Sequence, residues 1–201
     1  MRQRKRIRAA GLPALLGAGW LLLAAAALPA VAAPPELPAR GTVQAAFTPG
    51  DDVEGLIAAA IGEARRQVLV QAYLLSNRAI VRALVAAHGR GVDVRVLADR
   101  EQMMRQGGSR VPELARAGIP VRLEVRFANA HNKVVVIDAD GDEPVLVTGS
   151  FNFTQGAQRK NAENVLVLRG HAELARLYAR NWQRHADEAL PYGASVDGGA
   201  R

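Results

Sequence analysis

A histidine, a lysine and an aspartate fall inside the eight residues HNKVVVID, His131 to Asp138, whose other positions are mostly valine and isoleucine. β-Branched runs build strands, and in a strand residues two apart share a face. His131 and Lys133 are therefore expected to point the same way and Asp138 the opposite way. This parity gives Asp138 a structural task, closing a turn or tying the strand end to a neighbour. A second cluster, TGSFNFT from Thr148 to Thr154, divides in the same manner. Ser150 and Asn152 share the parity expected to face a site, and Phe151 and Phe153 the parity expected to face a core. A third cluster, KNAEN from Lys160 to Asn164, places Glu163 just ahead of an apolar run.

These residue types suit phosphoryl transfer at a diester. A neutral imidazole, His131, can attack phosphorus and form a covalent phosphohistidine. Lys133 is a compact cation that can neutralise non-bridging oxygens as charge builds on them. Ser150 and Asn152 can donate hydrogen bonds to the same oxygens. Glu163 can accept from an imidazole N–H, fix its tautomer and steady the imidazolium. One histidine in the motif and scattered acids make no metal cage, so the chemistry reads as metal-free and without a cofactor. After the basic head the chain holds two lysines, Lys133 and Lys160, against 19 arginines. Lysine at 133 suits a role that the planar fork of arginine does not fill.

Taken singly, none of these residues is diagnostic. A lone histidine beside a strand is more often a surface or core residue, a Gly-Ser with an asparagine is an ordinary turn, and Glu163 alone is a surface acid. Their co-occurrence between His131 and Asn164, with compatible parities, carries the reading as far as a phosphate site.

Elements alternating between strand and helix must position these clusters. Thr42–Phe47 reads as a strand, and Asp51 or Asp52 caps a helix running to about Arg66. Val68–Leu75 has strand length, Asn77 caps a helix that stops at Gly89–Gly91, and Val92–Ala98 alternates with period two. Glu101–Ala117 is helical at its end but broken near Gly107 and Gly108. Ile119–Val125, Lys133–Ile137, Val145–Thr148 and Val165–Leu168 are further strands. A last helix, Ala172–Asp187, spaces Leu174, Leu177, Tyr178 and Trp182 on one face. The pattern predicts an α/β fold, and the late loops are too short for crossover helices, so the sheet is expected to be mixed.

The 201 residues suit one domain. Cysteine is absent, which excludes disulfides and thiolate metal sites. The formal charge of +7 is largely a property of the head: Arg2, Arg4, Lys5, Arg6 and Arg8 precede every acid in the chain. Net charge therefore says little about partners. This basic stretch, the apolar Leu15–Leu28 and the small residues Ala30–Ala32 have the layout of a signal peptide, residues 1–32. An uncleaved anchor is the competing reading, because Leu12–Ala33 nearly reaches bilayer length. Pro13, Pro29 and the small residues favour cleavage and a periplasmic or secreted bacterial protein with no stable membrane anchor. Residues 33–41 form a Pro-rich linker, 42–190 the domain, and 191–201 are expected to be a disordered tail.

The motif HNKVVVID with the downstream GSFNFT and NAEN resembles the phospholipase D superfamily signature H-x-K-x4-D followed by G-S-x-N. It matches residue by residue at His131, Lys133, Asp138, Gly149, Ser150 and Asn152. The resemblance extends over roughly Val43 to Asp187 and is greatest for the small nuclease branch, which includes cardiolipin-hydrolase-like members. It implies a mixed sheet flanked by helices. It also implies a two-fold homodimer sharing one active site, because two motifs must meet and this chain has one. One copy of His131 would be the nucleophile and the other the general acid, with Glu163 orienting the histidine. Ala130 before the motif and Phe153, where tyrosine is frequent, depart from the pattern; neither touches the proposed chemistry, and an effect on the rim of the pocket, hence on substrate choice, is the expectation. Three functions follow as expectations. The first is a non-specific endonuclease on DNA or RNA, with Arg122, Arg126, Arg159 and Lys160 as candidate phosphate-binding rim residues unless they are ordinary solvated charges. The second is a phospholipase D acting on lipid head groups, for which Phe127 is the one apparent apolar lip. The third is a non-catalytic binding dimer.

Overall fold

The apolar β-branched runs pair into one eight-stranded sheet in the computed structural model, which describes residues 33–105 and 108–193. Its strands are β1 (Thr42–Thr48), β2 (Gln67–Ala72), β3 (Asp93–Asp99), β4 (Val121–Glu124), β5 (Lys133–Ile137), β6 (Val145–Gly149), β7 (Glu163–Arg169) and β8 (Leu190–Pro191). Their spatial order is β1-β7-β6-β5-β2-β3-β4-β8. The helices are α1 (Val53–Gly62), α2 (Arg78–Gly89), α3 (Arg100–Arg105), α4 (Val111–Arg116), α5 (Gln155–Arg159) and α6 (Ala172–Glu188). The expected signal segment, 1–32, lies outside the described residues, as do the last eight residues of the expected tail.

The mixed sheet follows from the connections. β2, β3 and β4 are parallel, with α2 and then α3–α4 crossing between them. β5 and β6 are joined by a short loop, β6 and β7 by a longer segment that carries α5, and both pairs run antiparallel. The two halves meet where β5 pairs antiparallel with β2. Alternating positions on the strands face two apolar layers. Val70, Val94, Val135 and Val147 pack with α1, α2 and α4 on one side. Leu69, Leu97, Val134, Val136 and Leu146 pack against α6 on the other. Ala175 and Ala186 bring α6 close to the sheet, and the Trp182 indole N–H donates to the Val70 carbonyl at 2.8 Å, which satisfies its buried polar atom.

Several boundaries differ from the sequence expectation, each for a polar reason. α1 ends at Gly62 rather than near Arg66, because the Asp138 carboxylate collects the next free backbone donors: the N–H groups of Arg65, Arg66 and Gln67 donate to it at 2.9, 2.8 and 2.7 Å. β2 stops at Ala72; beyond it, the Ser76 and Asn77 N–H groups turn to the Phe153 carbonyl, both at 2.8 Å. α5 is too short to show a periodicity and is started by Thr154, whose Oγ1 accepts from the Ala157 N–H at 3.0 Å. Pro191, read as the first residue of a tail, instead pairs with Arg122 at the sheet edge, and the Tyr192 N–H donates to the Val121 carbonyl at 2.9 Å.

Asp138 itself adopts φ 49°, a left-handed conformation that aspartate tolerates because its short side chain can bond locally. Its carboxylate ties the far end of β5 to the α1–β2 junction. Removing it would orphan three donors. Asp138→Ala is expected to lower stability by about 2 kcal/mol, on the usual scale for bonds to a charged acceptor, measured by chemical denaturation. An unchanged midpoint would contradict the brace.

Candidate active site

The carboxyl ends of β2, β3 and β4, the amino ends of β5 and β7 and the carboxyl end of β6 share one end of the sheet, as their pairing directions require. The chemistry-bearing residues lie there. His131 sits in the loop just ahead of β5, and Lys133 opens the strand. Lys133 is 6% exposed, and its Nζ lies 2.8 Å from His131 Nδ1 and 2.8 Å from the His131 carbonyl, to which it donates. Burial pushes the Lys133 ammonium down from 10.5 to about 8, against the opposing pull of the Glu163 carboxylate. That pull also places Glu163 among the charges felt at the site.

The second and third clusters are joined by the β6–β7 pairing. The Ser150 N–H donates to the Asn164 carbonyl at 3.0 Å, and the Asn164 N–H donates to Ser150 Oγ at 3.0 Å. The Ser150 hydroxyl donates to Glu163 Oε2 at 2.6 Å, and Asn161 Nδ2 donates to Oε1 at 2.9 Å. Gly149 makes this approach possible: a Cβ there would lie 2.3 Å from the Asn164 carbonyl oxygen. Any larger residue must push β7 away and carry Glu163 with it. Phe151 and Phe153 are buried in the core at 0% and 1% exposure, as their parity predicts, while Asn152 stays half-buried with Oδ1 unpaired among the described residues.

One expected contact differs. Glu163 does not hold the imidazole; both its oxygens are engaged by Ser150 and Asn161, and the His131 ring is met instead by Lys133 and Tyr73. The rim residues also separate. Arg126 pairs with Glu188 at the end of α6, and Arg159 bonds Gln155 at 3.1 Å and lies 3.9 Å from Glu54. Lys160 is exposed. Arg122 is occupied within the fold, donating to the Ala189 carbonyl at 2.5 Å.

Sequence reasoning passed over Tyr73 and Asp99. The Tyr73 ring centroid lies 4.4 Å from that of His131. One Asp99 oxygen accepts from the Ala130 N–H at 2.8 Å and the other from Gln102 N–H at 2.9 Å. Each stands at the end of a parallel strand, the usual place for site residues in such sheets, and that was the available signal. Among the described residues no group of three or more histidine and carboxylate side chains is placed to hold a metal ion.

The pattern of an imidazole, a buried ammonium, a serine and a carboxylate at one sheet end has known counterparts. The family described as "Cardiolipin synthase, PLD-like domain" matches residues 57–186. The chain belongs to the phospholipase D superfamily. This phospholipase D superfamily member is 42% identical over 143 residues to a phospholipase D of Rickettsia bellii, covering 71% of this chain and 68% of that protein. It is 34% identical over 128 residues to the mitochondrial cardiolipin hydrolase of Mus musculus, covering 64% of this chain and 55% of that one. The structure of Nuc from Salmonella typhimurium, a phospholipase D family member, superposes with a TM-score of 0.71 at 32% identity, covering 77% of this chain and all of Nuc. The protein is therefore a phosphodiester hydrolase of phospholipase D type.

Proposed function

We propose that the protein is an exported phosphodiesterase that cleaves nucleic acid without sequence preference and without a metal, through a phosphohistidine at His131. The observation that carries this reading is the His131–Lys133 pair, a nucleophile and a partly desolvated cation 2.8 Å apart at the open end of the sheet. The phosphodiester's non-bridging oxygens would draw the Lys133 ammonium and the Asn152 amide, and the Ser150 hydroxyl once it turns from Glu163. With Nδ1 occupied by Lys133 on the inner side, Nε2 is the nitrogen left for phosphorus. Attack needs the ring proton on Nδ1, so transfer of the ammonium to the substrate is what frees Nδ1 to carry it. The N–P bond forms as the P–O bond to the leaving group breaks. The leaving oxygen takes a proton from a second imidazolium. Water then gives its proton to that imidazole, attacks phosphorus and releases His131.

The second imidazole would come from another copy, in a two-fold homodimer. An exposed apolar strip supports this. Val43, Phe47 and Leu166 are 61%, 59% and 39% exposed, and the pairing of β1 with β7 sets them on one sheet face. Thr48 and Asn164, next to this strip, lead directly to Glu163. A second copy laid there about a two-fold axis running along the strands would bring its own site end alongside the first.

A phospholipid substrate is the second reading. Phe127 is 47% exposed in the loop leading to His131, and the curated relatives carry the names phospholipase D and cardiolipin hydrolase. Purified protein should be offered plasmid DNA, RNA and liposomes of phosphatidylcholine or cardiolipin side by side in EDTA. Cleavage of both nucleic acids in chelator is the expected result. Turnover of liposomes alone would transfer the assignment to lipid, and activity that returned only with a divalent ion would overturn the metal-free step.

A further inference from the structure

The loop carrying His131 is pinned on both sides of the histidine. The Ala130 N–H donates to Asp99, and the Asn132 carbonyl accepts from the Tyr73 N–H at 2.8 Å. The Tyr73 hydroxyl reaches back to Asn129 Oδ1 at 3.2 Å. Between these anchors the half-buried Tyr73 ring lies against the imidazole, centroids 4.4 Å apart and planes tilted by 59°. The same ring lies 5.1 Å from Lys133 Nζ. One side chain thus touches the Asn129 side chain ahead of the histidine, the histidine ring and the neighbouring cation.

We propose that Tyr73 is a positioning residue for His131, whose ring holds the imidazole in place and favours its protonated form, while the hydroxyl anchors the approach loop. An aromatic face carries negative potential and attracts a cation above it. The imidazole becomes a cation whenever it takes a proton during turnover. The charged groups around it are Lys133, which opposes that charge; Glu163, whose carboxylate acts on Lys133 and is held by Ser150 and Asn161; and Asp99, whose oxygens are engaged by Ala130 and Gln102. Tyr73 offsets part of the Lys133 repulsion without adding a titrating carboxylate. The proposal rests on His131 as the reacting group, but its test does not depend on turnover.

Tyr73→Phe and Tyr73→Leu separate the two parts of the side chain. The His131 ring is titrated by NMR in each, and cleavage of bis(p-nitrophenyl) phosphate is followed in parallel. Phe is expected to keep the wild-type midpoint. Leu is expected to lower it by about half a unit, the scale of a cation–π contact, and to lower kcat about five- to tenfold with KM little changed. Tyr73→Met serves as a second ringless variant should Leu unfold. A ringless variant that titrates like wild type overturns the proposal, and so does an equal loss in Phe and Leu. If the wild type fails to cleave the probe, that failure counts against the assigned reaction, while the titration still decides the role of Tyr73.

Discussion

His131→Asn is expected to remove diester cleavage almost completely, by about 10⁴-fold or more, while leaving the fold intact. Asparagine can occupy the loop, but it supplies neither a nucleophile to phosphorus nor a proton carrier near neutrality. The loop should survive because its anchors are backbone groups: the Ala130 N–H on Asp99 and the Asn132 carbonyl on Tyr73. The variant also tests whether the site is shared. If each site needs two histidines from two copies, co-refolding wild type with H131N should give activity that falls as the square of the wild-type fraction. In an equal mixture, each wild-type chain would then show about half its original activity. A linear fall would place a complete site in each chain, and retained turnover in pure H131N would remove His131 from the reaction.

Lys133→Met is expected to cost about 10²–10³ in kcat, the usual loss for one group that stabilises developing charge. The pH profile of the wild type should carry the same signature. With its ammonium pushed down to about 8 by burial, Lys133 discharges well below an ordinary lysine, and activity should fall as pH rises through about 8. Stability runs the other way. Between about 8 and 10.5 the unfolded chain holds more protons than the folded one, so folding should become more favourable as pH rises through that window. The desolvation penalty is fully present below it. An alkaline limb near 10.5 would show that the ammonium is not desolvated in solution, and a Lys133→Met enzyme with near-native kcat would remove its catalytic role.

Local pattern carried a large part of the site. The valine run fixed the strand at Lys133–Ile137, period two separated Ser150 and Asn152 from Phe151 and Phe153, and opposite parity sent Asp138 to a structural task. These are nearest-neighbour properties of an extended chain. The partners of Glu163 were not legible in the same way, because they depend on the β6–β7 register that sets Gly149 opposite Val165. Tyr73 and Asp99 were harder still. Only the pairing of β2 with β5 and the parallel placement of β3 bring them to His131, and no local periodicity encodes a contact between segments so far apart. Single-residue arguments also overrated the rim, since whether an arginine is free depends on acids such as Glu188 and Glu54 that the fold brings to it.

The scarcity of lysine gives the buried ammonium a practical use. At mildly alkaline pH an appreciable share of Lys133 is free amine. A phosphorylated aldehyde would be drawn to the same oxygen-binding groups as a substrate and would condense with that amine as an imine. Borohydride trapping followed by peptide mapping would then turn the chain's preference for arginine into an affinity tag on the buried amine, read as phosphate-protected labelling at Lys133.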